Sequence, residues 1–159
     1  MVGNDLSIYE TGNGGDLAVL SNDLALGDVL LQTAYVSMFG GNVEADTLGN
    51  EPTDEIRLDW WGNSLLFPNG SPQQFNSQTE RALKNNPLTS NGRVAIQLAA
   101  QNDLANLSNF ATVSVTVNIL STNSVQIVVQ LTQNGSMQSQ TLAVLWDNLK
   151  QTAIIQEVI

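Results

Sequence analysis

The groups best equipped for acid–base or metal chemistry in this chain are its carboxylates, 15 Asp and Glu side chains against 5 Lys and Arg. Histidine and cysteine are both absent. Their absence removes the commonest general base, the commonest transition-metal ligand, thiolate nucleophiles and disulfides together. Serines are plentiful, but none has an evident base to activate it. No glycine-rich phosphate loop and no metal-ligand spacing occurs. Six acids crowd one stretch: Glu44, Asp46, Glu51, Asp54, Glu55 and Asp59, with Arg57 as the only base among them. Two carboxylates flanking a glycosidic bond can hydrolyse it. Such a pair needs environments that push the two pKa values apart, whereas an open hydrophilic run leaves every member ionised. The ligand spacing of a calcium loop is missing as well. Residues 42–59 therefore read as a solvated acidic loop, mobile in the isolated chain and ordered only against a basic partner surface. No cofactor, no metal and no enzymatic activity is expected.

A formal net charge of -10 repels phosphate backbones and anionic bilayers, so neither nucleic acid nor membrane is an expected partner. At 159 residues, 42% of them hydrophobic, the chain is long enough to bury one substantial core and reads as a single domain, 1–159. Met1 to Glu10 lacks a basic residue followed by an apolar run, and no apolar stretch reaches membrane-spanning length. The expectation is a soluble acidic protein made in a cytoplasm.

With catalysis bare, the large apolar groups become the candidates for function. Leu58-Asp59-Trp60-Trp61-Gly62-Asn63 places two tryptophans side by side. On an extended backbone neighbouring side chains point to opposite faces. One indole then closes the core and the other is offered to a partner, with Gly62 turning the chain just afterwards. The second candidate is the chain end, 147–159, read as a docking tail that carries Ile154, Ile155, Val158 and Ile159. An apolar terminus must find a groove or a sheet edge, and a fourth strand on the protein's own sheet is the alternative.

The elements that must position these groups follow from periodicity. Asp5 to Tyr9 alternates as a short strand, Gly12-Asn13-Gly14-Gly15 breaks it, and Leu17 to Leu20 returns as a second. Asp28 caps a helix running to Phe39, with Leu31, Ala34, Tyr35 and Met38 on one face and Gly40-Gly41 as its stop. Ser77 to Glu80 forms a capping box for a short helix through Leu83, which Pro87 ends. Thr89 or Ser90 caps a second helix that turns Val94, Leu98, Leu104 and Leu107 toward the core. Val113, Val115, Val117 and Ile119 alternate with polar residues, as do Val125, Ile127, Val129 and Leu131. Asn134-Gly135 closes a hairpin with a third strand at 138–146. A tight turn there sets Ile127 opposite Leu142 and Val125 opposite Val144. The fold class is α+β: an antiparallel meander sheet with the helices at 28–39 and 90–107 packed on one face.

The middle of the chain resembles the Mu-type phage baseplate protein family. A helix ending Ala34-Tyr35-Val36-Ser37-Met38-Phe39, an acidic loop and then Trp60-Trp61-Gly62-Asn63 is similar to that family's helix, Asp/Pro-rich loop and Trp-Trp-Gly-Asp motif. The Ser77 to Glu80 cap, Leu88-Thr89 before a long helix and the closing strands follow in the same order. Asn63 stands where the family usually has aspartate. Ser108-Asn109-Phe110 stands where the related lysozyme-like wedge family often has Glu-Pro-Arg. The resemblance implies a structural component of a contractile phage tail baseplate, in the inner wedge. The resemblance further implies that such a component bridges wedge subunits and the sheath or tube, in multiple copies within a hetero-oligomeric virion assembly built in the host cytoplasm. A tail-associated peptidoglycan hydrolase is the alternative from another class, and a soluble calcium-binding module is a third reading.

Overall fold

The computed structural model describes residues 4–10, 15–17, 19–41, 60–68 and 71–158. Six short strands open the chain: β1 (Asn4–Leu6), β2 (Ile8–Glu10), β3 (Gly15–Leu17), β4 (Val19–Leu20), β5 (Asp23–Leu24) and β6 (Leu26–Asp28). They pair antiparallel as β1 with β6, β2 with β3 and β4 with β5. The last pair closes through Ser21 and Asn22, both at positive φ (53° and 66°), the mirror-image turn whose twist suits a two-residue hairpin.

Helix α1 (Val29–Phe39) begins at Asp28, whose side chain accepts from the Leu30 and Leu31 amides. Capping of this kind stabilises a helix start by about 1 kcal/mol. The predicted face is buried, but so is every residue from Ala34 to Gly41, Ser37 included. A helix apolar on all sides is one that other elements surround. The short helix α2 (Trp61–Leu66), then α3 (Gln78–Asn85) and α4 (Ser90–Asp103), follow it, and a 3-10 turn over Ala105–Asn109 leads into the sheet.

The sheet has four antiparallel strands in the order β10-β9-β8-β7: β7 (Ala111–Ser121), β8 (Ser124–Gln133), β9 (Ser139–Asp147) and β10 (Thr152–Val158). Val115 and Val117 of β7, Val125 to Leu131 of β8 at alternate positions, Leu142, Val144 and Trp146 of β9 and Ala153 of β10 point to one face. There they join Leu31, Met38, Leu83, Ile96 and Leu104 of the helical layer in one core. Trp146, fully buried between Val125 and Ala153, is its largest member. The class is α+β, with the helices on one face of an antiparallel meander.

Three expectations are corrected. The β8–β9 register differs by two residues: Ile127 faces Val144 and Val125 faces Trp146. Gly135 does adopt φ 83° and the Ser136 amide donates to the Gln133 carbonyl, so the Asn-Gly turn forms. Ser136 then adds its own small turn, its hydroxyl accepting from the Gln138 amide. Regular pairing resumes only at Thr132 with Ser139. Because the slip is even, every side chain keeps its face. In α4 the larger apolar residues Val94 and Leu98 point outward, 55% and 56% exposed, while Gly92, Ile96, Ala99 and Ala100 face inward. At Gly92 the space a Cβ would need is taken by the Pro87 carbonyl oxygen. Finally, the Ser77 side chain does not cap α3: its hydroxyl donates to the Ser37 carbonyl instead.

Candidate functional site

The C-terminal end of α1 is where the candidate residues converge. The Gly40 carbonyl accepts from the Trp60 amide at 2.9 Å, and the Gly41 carbonyl from the Ser77 amide at 2.7 Å. Two distant segments are thereby pinned to consecutive residues, so α2 and α3 both start from the end of α1. Ser37, on the last turn of α1, holds a third: Asn106 donates to its hydroxyl.

Trp60 is extended (φ −71°, ψ 124°), as expected, but the extended segment stops there because Trp61 is already the first residue of α2. The argument that alternating faces separate the two indoles therefore does not apply. Trp60 is half-buried, packs on the core and meets Phe75 edge to face at 6.0 Å between centroids. The Trp61 side chain lies outside the described residues, as does the acidic stretch 42–59. Gly62 is buried inside α2 and is required for a different reason from a turn. A Cβ at this position would sit 2.4 Å from Cζ2 and 2.5 Å from Cη2 of Trp60, so only glycine lets the indole fold back across the helix.

Asn63 is 1% exposed. Its Oδ1 accepts from the Phe75 amide at 2.7 Å and its Nδ2 donates to the Phe75 carbonyl at 3.2 Å. Gln74 returns a bond from Nε2 to the Asn63 carbonyl at 3.1 Å. The carboxamide reads both backbone groups of one residue, accepting from its N–H and donating to its C=O, something an ionised aspartate cannot do. Trp60, Gly62 and Asn63 thus form one knot, and Gly62 and Asn63 offer no surface to a partner.

The tail residues fall elsewhere. Asp147 accepts from the Leu149 and Lys150 amides, and Gln151 takes φ 52°, so the chain reverses after β9 and returns as β10. Thr152 pairs with Asp147 and Ile154 with Leu145, with a bulge between Ile155 and Glu157 before Val158 reaches Leu142. The fourth-strand alternative is the arrangement found, in place of a free docking arm. Ala153 is buried, Ile155 packs on the core and Ile154 is 47% exposed on the opposite face. The side chain of Val158, and Ile159 altogether, lie outside the described residues.

The acids whose side chains are described are held in local bonds. Asp28 caps α1 and its second oxygen accepts from Gln140 at 2.7 Å. Glu80 pairs with Lys84 at 2.7 Å, both nearly sealed from solvent. Asp103, at the end of α4, supplies the cap that Ser77 does not: it accepts from the Gln78 and Thr79 amides and from the Thr79 hydroxyl at 2.6 Å. Burial pushes its carboxyl above the ordinary 3.8, although those bonds and Arg81 pull the other way. Among the described residues no group of three or more carboxylates is placed to hold a metal ion, and no helix is long and apolar enough to cross a membrane.

Several large apolar side chains face solvent. A cleft of about 440 Å³ opens between the start of α1, the 3-10 turn and the β8–β9 hairpin, lined by Val29, Leu30, Leu107, Phe110 and Gln140 among others. Phe110 stands 63% exposed at it. Leu65 and Leu66 of α2 and Val94 and Leu98 of α4 add further uncovered side chains. Sequence reading missed these, because their spacing assigned the α4 pair to the core and gave no helix at α2. No family model matches this chain, and neither a curated protein nor a solved structure is found similar to it.

Proposed function

We propose that this protein is a structural subunit of a contractile phage tail baseplate, of the inner-wedge kind, bridging neighbouring subunits and the sheath or tube. The observation that carries the reading is the order of elements around the aromatic motif. A buried helix ends in Ser37-Met38-Phe39, an acidic stretch intervenes, and Trp60-Trp61-Gly62 closes back onto that helix end ahead of the sheet. Large apolar side chains left uncovered on α2 and α4 suit a protein that works by contact. Asp23, Asp28, Glu80, Asp103 and Asp147, the acids whose side chains are described, each make a local bond, and Asp28 alone among them lines the cleft, an arrangement that suits assembly better than the alternative of peptidoglycan hydrolysis. The knot at Trp60 serves here as the scaffold that sets α2 on the surface, with Leu65 and Leu66 as its contact residues.

The test is to express the chain with the remaining tail proteins and purify the assembled tails. The reading requires this protein in fixed stoichiometry in the baseplate, and Leu65→Asp with Leu66→Asp to abolish incorporation while leaving the isolated protein folded. Tails that assemble fully without the chain, or release of cell-wall fragments by the purified protein, would sink it.

A further inference from the structure

From Leu104 to Trp146 not one residue carries a charge, in a chain whose net charge is -10. That run contains the whole of β7, which is an edge of the sheet. Exposed edges are ordinarily blunted by charges, prolines or bulges, because their unpaired amides and carbonyls recruit other strands. The other edge follows the rule, since β10 has a bulge at its middle and Glu157 beside it. On β7 the register with β8 is regular from Ala111 to Ile119, and the only irregularity lies beyond, between Ile119 and Ser121.

Among the described residues no strand pairs with the outer side of β7, and its ladder with β8 fixes which groups point there. The Asn134 amide donates to the Phe110 carbonyl at 2.9 Å, which makes that pair a hydrogen-bonded one in the β7–β8 ladder. Antiparallel pairs alternate, so residues 112, 114, 116 and 118 also bond to β8. The amides and carbonyls of Val113, Val115 and Val117 therefore point away from the sheet. The side chains of these same residues face the helical layer, where a groove of about 440 Å³ runs beside the edge under Leu104, Ala105 and Ser108. An added strand would find bonding groups at the edge and room for its own inward side chains.

We infer that β7 is the interface with a second copy of this chain, the two β7 strands pairing antiparallel about Val115 into one continuous sheet. The occupant is a second copy because a charge-free edge is where two bodies of net charge -10 can meet without like charges in contact. A basic partner would find no carboxylate there to recognise. The sequence is also self-complementary about Val115. Val113 faces Val117 of the other copy and Ala111 faces its Ile119, small against large. On the outer face Thr112 meets Asn118 and Ser114 meets Thr116, all neutral and exposed in the single chain. This inference is independent of the baseplate reading.

The experiment combines sedimentation with site-resolved amide exchange on the full chain. The wild type should sediment at twice the 17.1 kDa chain mass at about 100 μM. The amides of Val113, Val115 and Val117 should then exchange at least tenfold more slowly than amides open to water. Ser114→Glu with Thr116→Glu, and separately Ser114→Lys with Thr116→Lys, alter only exposed side chains. Each double variant should sediment as a monomer, and an equimolar mixture should restore a dimer. A monomeric wild type, a dimer whose three amides exchange freely, or an acidic variant that still self-associates would each overturn the inference.

Discussion

Replacing Asn63 by aspartate tests the centre of the knot, because the resemblance that suggests a function has aspartate at that position. The side chain is 1% exposed and makes two bonds to one residue, accepting from the Phe75 amide and donating to the Phe75 carbonyl. Asn63→Asp keeps the acceptor and removes the donor. An unpaired buried carbonyl costs roughly 1–3 kcal/mol. An ionised carboxylate oxygen now faces that carbonyl across the former hydrogen bond, and its charge has left water, although the Phe75 amide offsets part of this. We expect a loss of about 2–4 kcal/mol at pH 7, read by urea unfolding with tryptophan fluorescence. The pH dependence is diagnostic. Burial and the facing carbonyl hold the introduced acid above its unfolded value of about 3.9, so the folded variant binds the proton more tightly. Its deficit must shrink as pH falls toward that value, where the protonated acid can donate to Phe75 again. A variant as stable as wild type at pH 7, or one whose deficit grows on acidification, would refute the two-point reading of Asn63.

Gly62→Ala should destabilise by roughly 1–3 kcal/mol despite alanine's better helix propensity, because its Cβ displaces the Trp60 ring; a gain in denaturation midpoint would contradict this. Asp103→Asn leaves one oxygen to serve the start of α3 and should cost about 1–2 kcal/mol. Because Asp103 is held above 3.8 in the fold, its contribution to stability is largest at low pH and is lost as pH rises through the folded value. The gap between wild type and variant should accordingly widen on acidification, and a narrowing gap in paired unfolding curves would reverse the sign of our argument. Ending the chain at Thr152 removes buried Ala153 and the Ile155 contact. The melting temperature of the truncated protein should drop by roughly 5–10 °C, and unchanged melting would mean β10 contributes nothing to the sheet.

The sheet was legible because β7 and β8 alternate strictly with period two and face one buried layer. Its register was not, since the Ser136 turn comes from one hydroxyl that composition cannot distinguish from any other serine. Helix α1 declared itself through Asp28 and an apolar run, whereas α2 has Gly62 and Asn63 within six residues and forms only where the end of α1 receives it. The inward face of α4 was misread because it is built partly of Gly92, crowded by the Pro87 carbonyl, and of Ala99 and Ala100, which periodicity weighs less than Val94 and Leu98. The tail could be read either way from its aliphatics, and the deciding signal was Asp147, a turn former just before it. The cap on α3 comes from Asp103, 24 residues away from Thr79, and no local pattern announces it.

The bond from the Trp60 amide to the Gly40 carbonyl has a consequence for protein engineering. It holds the two residues that flank positions 42–59 within hydrogen-bond distance of each other, so the chain enters and leaves that stretch at one place. Doubling such a loop costs only about 0.6 kcal/mol in closure entropy. The position is therefore a natural port: an epitope, a binding peptide or a whole small domain with neighbouring termini matches the spacing that the Gly40–Trp60 bond sets.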